Sequence, residues 1–110
     1  MISEKYQKIL EEKGKPLGEI GIAEVALERA PALEAIGALR VAGIPILGGD
    51  VYKNQNGNIK STYDNWYSQE EDYPSKEEYL KQSWAKAEQY IRNYNDPMDG
   101  SIFYTLVIPE

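Results

Sequence analysis

The stretch GGDVYKNQNGNIKSTYDNWY, residues 48–67, decides how the chain folds because it contains the signals for two paired strands. β-Favouring residues such as Val51 lead into a polar loop over residues 54–58, and residues 59–66 can return as a second strand. Asn56-Gly57 tolerates positive φ at both central positions of a type I′ turn, which matches the twist of paired strands. We therefore predict an antiparallel β-hairpin with strands over residues 46–53 and 59–66.

Two glycines, Gly48 and Gly49, fall in the first strand of this hairpin. Glycine in a strand indicates a bulge or the close approach of other atoms, and we expect one of these here. The pair does not open a helix, and neither the Walker pattern nor G-x-G-x-x-G occurs, so the sequence predicts no phosphate-binding loop.

Two helices are predicted before the hairpin. Ser3 suits an N-cap, and residues 4–13 carry one apolar helical face, formed with Ile2 by Tyr6, Ile9 and Leu10. Pro31 suits the first position of a second helix over residues 31–42, in which Gly37 costs about 1 kcal/mol relative to alanine and is expected to permit close packing. The segment 15–29 stays open, because residues 24–27 fit a short strand or an irregular crossing.

A long helix is predicted after the hairpin. Ser75 and Glu78 form a capping-box pattern, and a broad apolar stripe then continues to about Asn95, with Trp84 in its middle and therefore in the core. The last segment, SIFYTLVI (residues 101–108), is apolar on both alternating faces, which indicates a covered strand that we expect to be central.

These elements predict an α+β fold with a small antiparallel sheet of three or four strands. Two or three helices pack on the sheet, and one of them is the long helix in the C-terminal half. The length is that of one domain, so we expect residues 1–110 to form a single domain.

Composition excludes several classes of function. The chain has no cysteine or histidine, which removes disulfides, thiolate nucleophiles, Ser-His and Cys-His catalysis and the usual zinc sites. Eighteen acidic and twelve basic residues give a net charge of −6, which argues against a nucleic-acid partner. Without a signal-peptide pattern or an apolar run near 20 residues, we expect a soluble cytoplasmic protein that does not enter a membrane.

Asp50 and Asp64 provide the one arrangement of residues that points to catalysis or metal binding. They lie on paired strands, so their carboxylates can approach one another and bind Mg²⁺ or share a proton. No third carboxylate or lysine accompanies them at a recognisable spacing, and we assign no catalytic, cofactor or metal residue. A small enzyme, or a domain that binds a metal or another ligand, nevertheless stays open as the alternative function.

The second candidate site is the stretch of aromatic and acidic residues from Tyr63 to Tyr73. Aromatic residues are common hot spots of protein interfaces, and neighbouring acids attract arginine and lysine. Strand alternation sends about half of these side chains inward, so core packing and partner binding are both open. The residues predicted to contact a protein partner are Asp50, Tyr52, Asp64, Tyr67, Glu70, Glu71 and Asp72.

The order of these segments resembles the immunity protein 40 family of bacterial polymorphic toxin systems. The specific parts are GIPILGGDVY (residues 43–52) and YDNWY (residues 63–67), and the resemblance covers residues 18–108. It implies an antitoxin that binds and neutralises a cognate toxin, with no cofactor and no catalysis of its own. No toxin-contact residue is carried over from the family.

The acidic charge adds an expectation about the partner. We expect the C-terminal domain of the cognate toxin to present a basic surface, because opposite charges attract over long range. The free protein is expected to be a monomer or a weak homodimer.

Overall fold

The computed structural model describes residues 3–18 and 24–109. Within these ranges the chain has the predicted α+β fold, with three α-helices and two antiparallel sheets of two and three strands. In chain order the elements are α1 (Glu4–Lys13), β1 (Lys15–Pro16), β2 (Val25–Ala26), α2 (Arg29–Ala42), β3 (Gly48–Gln55), β4 (Asn58–Tyr67), a 3₁₀ helix (Glu70–Asp72), α3 (Lys76–Asn93) and β5 (Ile102–Val107).

The predicted hairpin is confirmed as β3 and β4. Asn56 and Gly57 connect the two strands with φ angles of 55° and 87°, as a turn with two left-handed positions requires. β3 lies in the centre of the three-stranded sheet and pairs with β4 on one side and β5 on the other. The unassigned segment 15–29 contributes the short ribbon of β1 and β2, while Gly21 lies outside the described residues.

β5 lies at an edge of the three-stranded sheet, so the prediction of a central strand was wrong. Its two faces are nevertheless buried: Tyr104 packs in the main core, and Phe103 packs in a second cluster with Leu17. Leu27 protects the outer edge, since its backbone exchanges two hydrogen bonds of 2.7 and 2.8 Å with that of Tyr104. The apolar pattern of residues 101–108 therefore predicted correctly that both faces of β5 are covered, but it did not predict how many strands lie beside β5.

The two glycines of β3 permit close approach, one of the two predicted alternatives. A Cβ atom on Gly49 would collide with the carbonyl oxygen of Thr105 and with the indole of Trp66. The expectation for Gly37 was wrong, because nothing lies within 4 Å of the position that its Cβ would occupy.

The helix boundaries were predicted to within a few residues. Ser3 caps α1, its hydroxyl accepting a 3.2 Å hydrogen bond from the amide of Tyr6, while Ile2 lies outside the described residues. α2 begins at Arg29, before Pro31, so the proline is not the first helical residue. The reason is that proline is tolerated throughout the first turn, where amides need no helical partner.

α3 supports the sheet through its partly apolar face. Ser75 caps it by accepting from the amide of Glu78 at 3.1 Å, but the Glu78 carboxylate accepts from Gln82, so only half of the predicted capping box forms. Trp84 is half-buried against the main core, and its indole N–H donates to the carbonyl of Ile44 at 2.7 Å. The Trp84 bond therefore joins the middle of α3 to the segment that precedes β3.

Candidate functional site

The ladder between β3 and β4 is interrupted by a bulge in β4. Asp50 pairs with Asn65 and Tyr52 pairs with Ser61, so Val51 alone faces residues 62–64. At the centre of the bulge, Tyr63 has a φ of 67°, in the left-handed region that a bulky residue rarely adopts. Its side chain is 88% exposed, so the unusual backbone directs an aromatic ring into solvent.

Side-chain hydrogen bonds hold the bulge in this conformation. The Thr62 hydroxyl donates to the carbonyl of Val51 at 3.0 Å and accepts from the amide of Asp64 at 3.1 Å. The Ser61 hydroxyl accepts from the amide of Tyr63 at 3.0 Å. A left-handed non-glycine residue costs on the order of 1–3 kcal/mol and persists only where its surroundings fix it. The bulge is therefore a fixed part of the surface.

Two contacts join β4 to α3 next to the bulge. The indole of Trp66 is 5% exposed and stacks on the ring of Tyr90, with centroids 4.7 Å apart and an interplanar angle of 29°. The ring of Tyr67 is 62% exposed, and the ammonium group of Lys86 lies 5.5 Å from its centroid while donating to the Tyr67 carbonyl. Trp66 thus anchors the strand in the core, whereas Tyr67 stays at the surface.

The 3₁₀ helix after β4 adds negative charge next to the first turns of α3. Glu70, Glu71 and Asp72 are all exposed, and no lysine or arginine in the described part of the chain forms an ion pair with them. Burial first, and then the charges of Glu70 and Glu71, raise the pKa of the nearby Tyr79 hydroxyl. These three carboxylates are therefore free to attract a cationic partner.

A groove of about 510 Å³ separates the bulge from the second half of α3. Its lining includes Asp64, Gln89, Tyr90, Asn93 and Tyr94. The Tyr94 hydroxyl donates a 2.6 Å hydrogen bond to Oδ2 of Asp64. Burial, followed by this bond to a carboxylate, raises the pKa of the Tyr94 hydroxyl, so it stays protonated and keeps donating at neutral pH.

A buried polar network fixes the end of α3 that carries Tyr94. The side chain of Asp96 is 4% exposed, accepts from the Tyr104 hydroxyl at 3.0 Å and lies 3.9 Å from Nε of Arg29. Arg29 also donates to the carbonyl of Tyr94. The network joins α2, β5 and the segment after α3, and it positions one wall of the groove.

Most of the predicted contact residues lie at the surface, but they do not all lie together. Asp64, Tyr67 and the three acids of the 3₁₀ helix are exposed, and Asp50 is half-buried. Tyr52 is only 5% exposed and packs with Phe103 in the second cluster. Leu17, next to β1, and Ala26 of β2 cover that face of the sheet, so Tyr52 offers little surface to a partner and is left out of the contact region proposed below.

The geometry also removes the basis for pairing Asp50 with Asp64. Asp50 pairs with Thr105 of β5 and with Asn65 of β4. The neighbours of these two residues along their strands, Tyr104 and Trp66, pack in the main core, so Thr105 and Asn65 lie on the opposite face of the sheet. The side chain of Asp50 thus lies on the face of the sheet opposite α3, whereas Asp64 contacts Tyr94 on the α3 side. Among the described residues, no group of three or more acids could hold a metal ion.

Several residues of the site were not predicted from the sequence. Tyr63 is the most exposed aromatic residue described, yet strand alternation left its direction open, and the bulge that breaks the alternation has no sequence signal. Tyr90 and Tyr94 were assigned to the apolar stripe of the long helix. Both pack against the core with one part of the ring and line the groove with another.

Comparison with known proteins identifies the family. In the described ranges, no helix has the length and apolarity needed to span a bilayer. A search of curated proteins and a search of solved structures each found no match. The family model described as immunity protein 40 matches residues 16–108, nearly the range over which the resemblance was predicted. The chain therefore belongs to the immunity protein 40 family.

Proposed function

We propose that this immunity protein neutralises a cognate toxin by binding its C-terminal domain stoichiometrically, without catalysis of its own. The contact region is the bulge surface, defined as Tyr63, Asp64, Tyr67, Glu70, Glu71 and Asp72. One observation carries the proposal: a bulge held by side-chain hydrogen bonds displays the exposed ring of Tyr63 next to Asp64, and the chain continues through exposed Tyr67 to three more exposed carboxylates. None of these acids forms an ion pair with a described lysine or arginine.

The physical chemistry of the bulge surface suits a basic partner. Exposed tyrosines on a rigid backbone bury large areas with little loss of rotamer entropy, and each such anchor contributes roughly 2–4 kcal/mol when it is a hot spot. Carboxylates at the rim accelerate association with a cationic surface and contribute less to the lifetime of the complex. A stable complex would bury on the order of 1,600 Å² in total.

The proposal also covers the location of the protein, its oligomeric state and the charge of its partner. The protein acts in the cytoplasm of the cell that makes the toxin, as a monomer or a weak homodimer before the toxin binds. The net charge of −6 supports a toxin with a basic surface, because the long-range attraction favours encounter.

Combined replacement of Tyr67, Glu70, Glu71 and Asp72 by Ala, Gln, Gln and Asn tests this function. We expect the Kd for the cognate toxin domain to rise by about a hundredfold, since one anchor and three steering charges are lost. The salt dependence of the association rate should also become weaker. Calorimetry gives the Kd and stopped-flow mixing gives the rate at several salt concentrations.

A matched control removes similar groups from α1 and α2. Glu4, Glu11 and Glu12 of α1 become glutamine and the exposed Val41 becomes alanine, so three charges and one apolar side chain are again lost. The control variant should bind the toxin as the unmodified protein does. Unchanged affinity and unchanged salt dependence in the first variant would rule out the bulge surface as the contact region.

A further inference from the structure

We propose that the groove between the β4 bulge and α3 receives an arginine side chain of the bound toxin, with the carboxylate of Asp64 as its ion-pair partner. This inference rests on the proposed function and adds a specific contact to it. The groove borders the bulge surface, because Asp64 belongs to both.

The first argument concerns the hydrogen bonds of the Asp64 carboxylate. Oδ2 of Asp64 accepts the 2.6 Å hydrogen bond from Tyr94, whereas Oδ1 has no hydrogen-bond partner in the described part of the chain. The Tyr94 hydroxyl fixes the orientation of the carboxylate before a ligand arrives. An exposed, oriented carboxylate oxygen is suited to a charge-assisted hydrogen bond with a cation.

The second argument is that the groove lacks a free cation. Lys86 is the one basic residue in its lining, and its ammonium group is already bound to the carbonyl of Tyr67 and placed beside the Tyr67 ring. The negative charge of Asp64 is thus not neutralised inside the groove. Lys86 keeps its own positive charge, so the attraction for an incoming cation is local to the free oxygen of Asp64.

The third argument favours arginine over lysine. The rings of Tyr90 and Tyr94 lie side by side in the lining, with centroids 6.0 Å apart, and a planar guanidinium can stack on such rings. Gln89, Asn93 and Asn95 belong to the same lining, and each of their side-chain amides has an oxygen that can accept a hydrogen bond. Arginine has five N–H donors to share between these oxygens and Asp64, whereas lysine is a compact charge with three.

The first experiment compares Asp64→Asn with Glu77→Gln in calorimetric titrations with the cognate toxin domain. The asparagine keeps an oxygen for the Tyr94 hydroxyl and removes only the charge, while Glu77 is an exposed acid of α3 outside the groove. We expect D64N to bind at least tenfold more weakly at both low and physiological salt, and E77Q to bind normally. Affinity of D64N within twofold of the unmodified protein would overturn the inference.

The second experiment uses N-acetyl-L-arginine methylamide and its lysine counterpart as probes of the free protein. Nuclear magnetic resonance should show shifts of the side-chain amides of Gln89 and Asn93 with the arginine probe, smaller shifts with the lysine probe, and none in D64N. Equal shifts with both probes, or none with arginine, would contradict an arginine-selective groove.

The two experiments separate the inference from the proposed function. If the toxin binds and D64N has no effect, the groove assignment fails while the neutralising function stands. If the unmodified protein does not bind the toxin, the proposed function fails, and the arginine probe alone decides whether the groove selects guanidinium groups.

Discussion

Replacing Trp66 by alanine is expected to lower the free energy of unfolding by about 3–5 kcal/mol. The indole is almost fully buried, stacks on Tyr90 and fills the space beside Gly49, so its removal leaves a cavity between β4 and α3. The stacking of Trp66 on Tyr90 also holds β4, which carries the bulge, against α3. Toxin binding by the protein that remains folded should therefore weaken as well.

Urea unfolding followed by circular dichroism measures this loss. Trp66→Phe is the matched control, because phenylalanine keeps an aromatic ring against Tyr90 and should recover a large part of the stability. A decrease below 1 kcal/mol for the alanine variant would show that Trp66 does not anchor β4 in the way that the stacking geometry indicates.

Replacing Gly49 by alanine has the second largest expected effect, a destabilisation of about 3 kcal/mol. The added Cβ meets the Thr105 carbonyl oxygen, which is part of the backbone and cannot move without disturbing the pairing of β3 with β5. Gly37→Ala provides the contrast. It adds a Cβ in open space within α2 and should stabilise the protein by about 1 kcal/mol through helix propensity.

Thermal unfolding of both glycine variants gives the comparison in one experiment. Opposite shifts of Tm are expected, downward for Gly49→Ala and upward for Gly37→Ala. A tolerated alanine at position 49 would mean that the strands can separate at the glycine pair, contrary to the close approach described above.

Local signals were sufficient to predict most of the secondary structure. Asn56-Gly57 specified the turn because few residue pairs accept two left-handed positions, and Ser3 and Ser75 specified helix starts through their capping hydroxyls. Each of these signals acts within three or four residues. The α+β class followed from the order of such elements along the chain.

Features that depend on tertiary contacts could not be predicted in this way. The pattern of β5 shows that both faces are covered, but the edge position results from the backbone bridge to Leu27, which is distant in sequence. Tyr52 is buried by residues of the β1–β2 ribbon, a segment without a clear pattern. The single-domain assignment for residues 1–110 stays a prediction.

The candidate site was predictable in composition but not in geometry. The acids over residues 70–72 were identified as a candidate contact region from their position after an aromatic strand, and they are exposed. The hydrogen bond between Asp64 and Tyr94 joins the β4 bulge to the residue that follows α3. Strand alternation describes only the first of these residues and the helical wheel only the second, so neither pattern predicts their contact. A sequence pattern alone does not show that such residues meet in space.

Hydrogen–deuterium exchange of the protein with and without the cognate toxin domain tests the central claim most directly. Toxin binding is expected to slow amide exchange over residues 58–73 and in the second half of α3, the two segments that carry the bulge surface and the groove. A tight complex whose protection is confined to α1 and α2 would contradict the account.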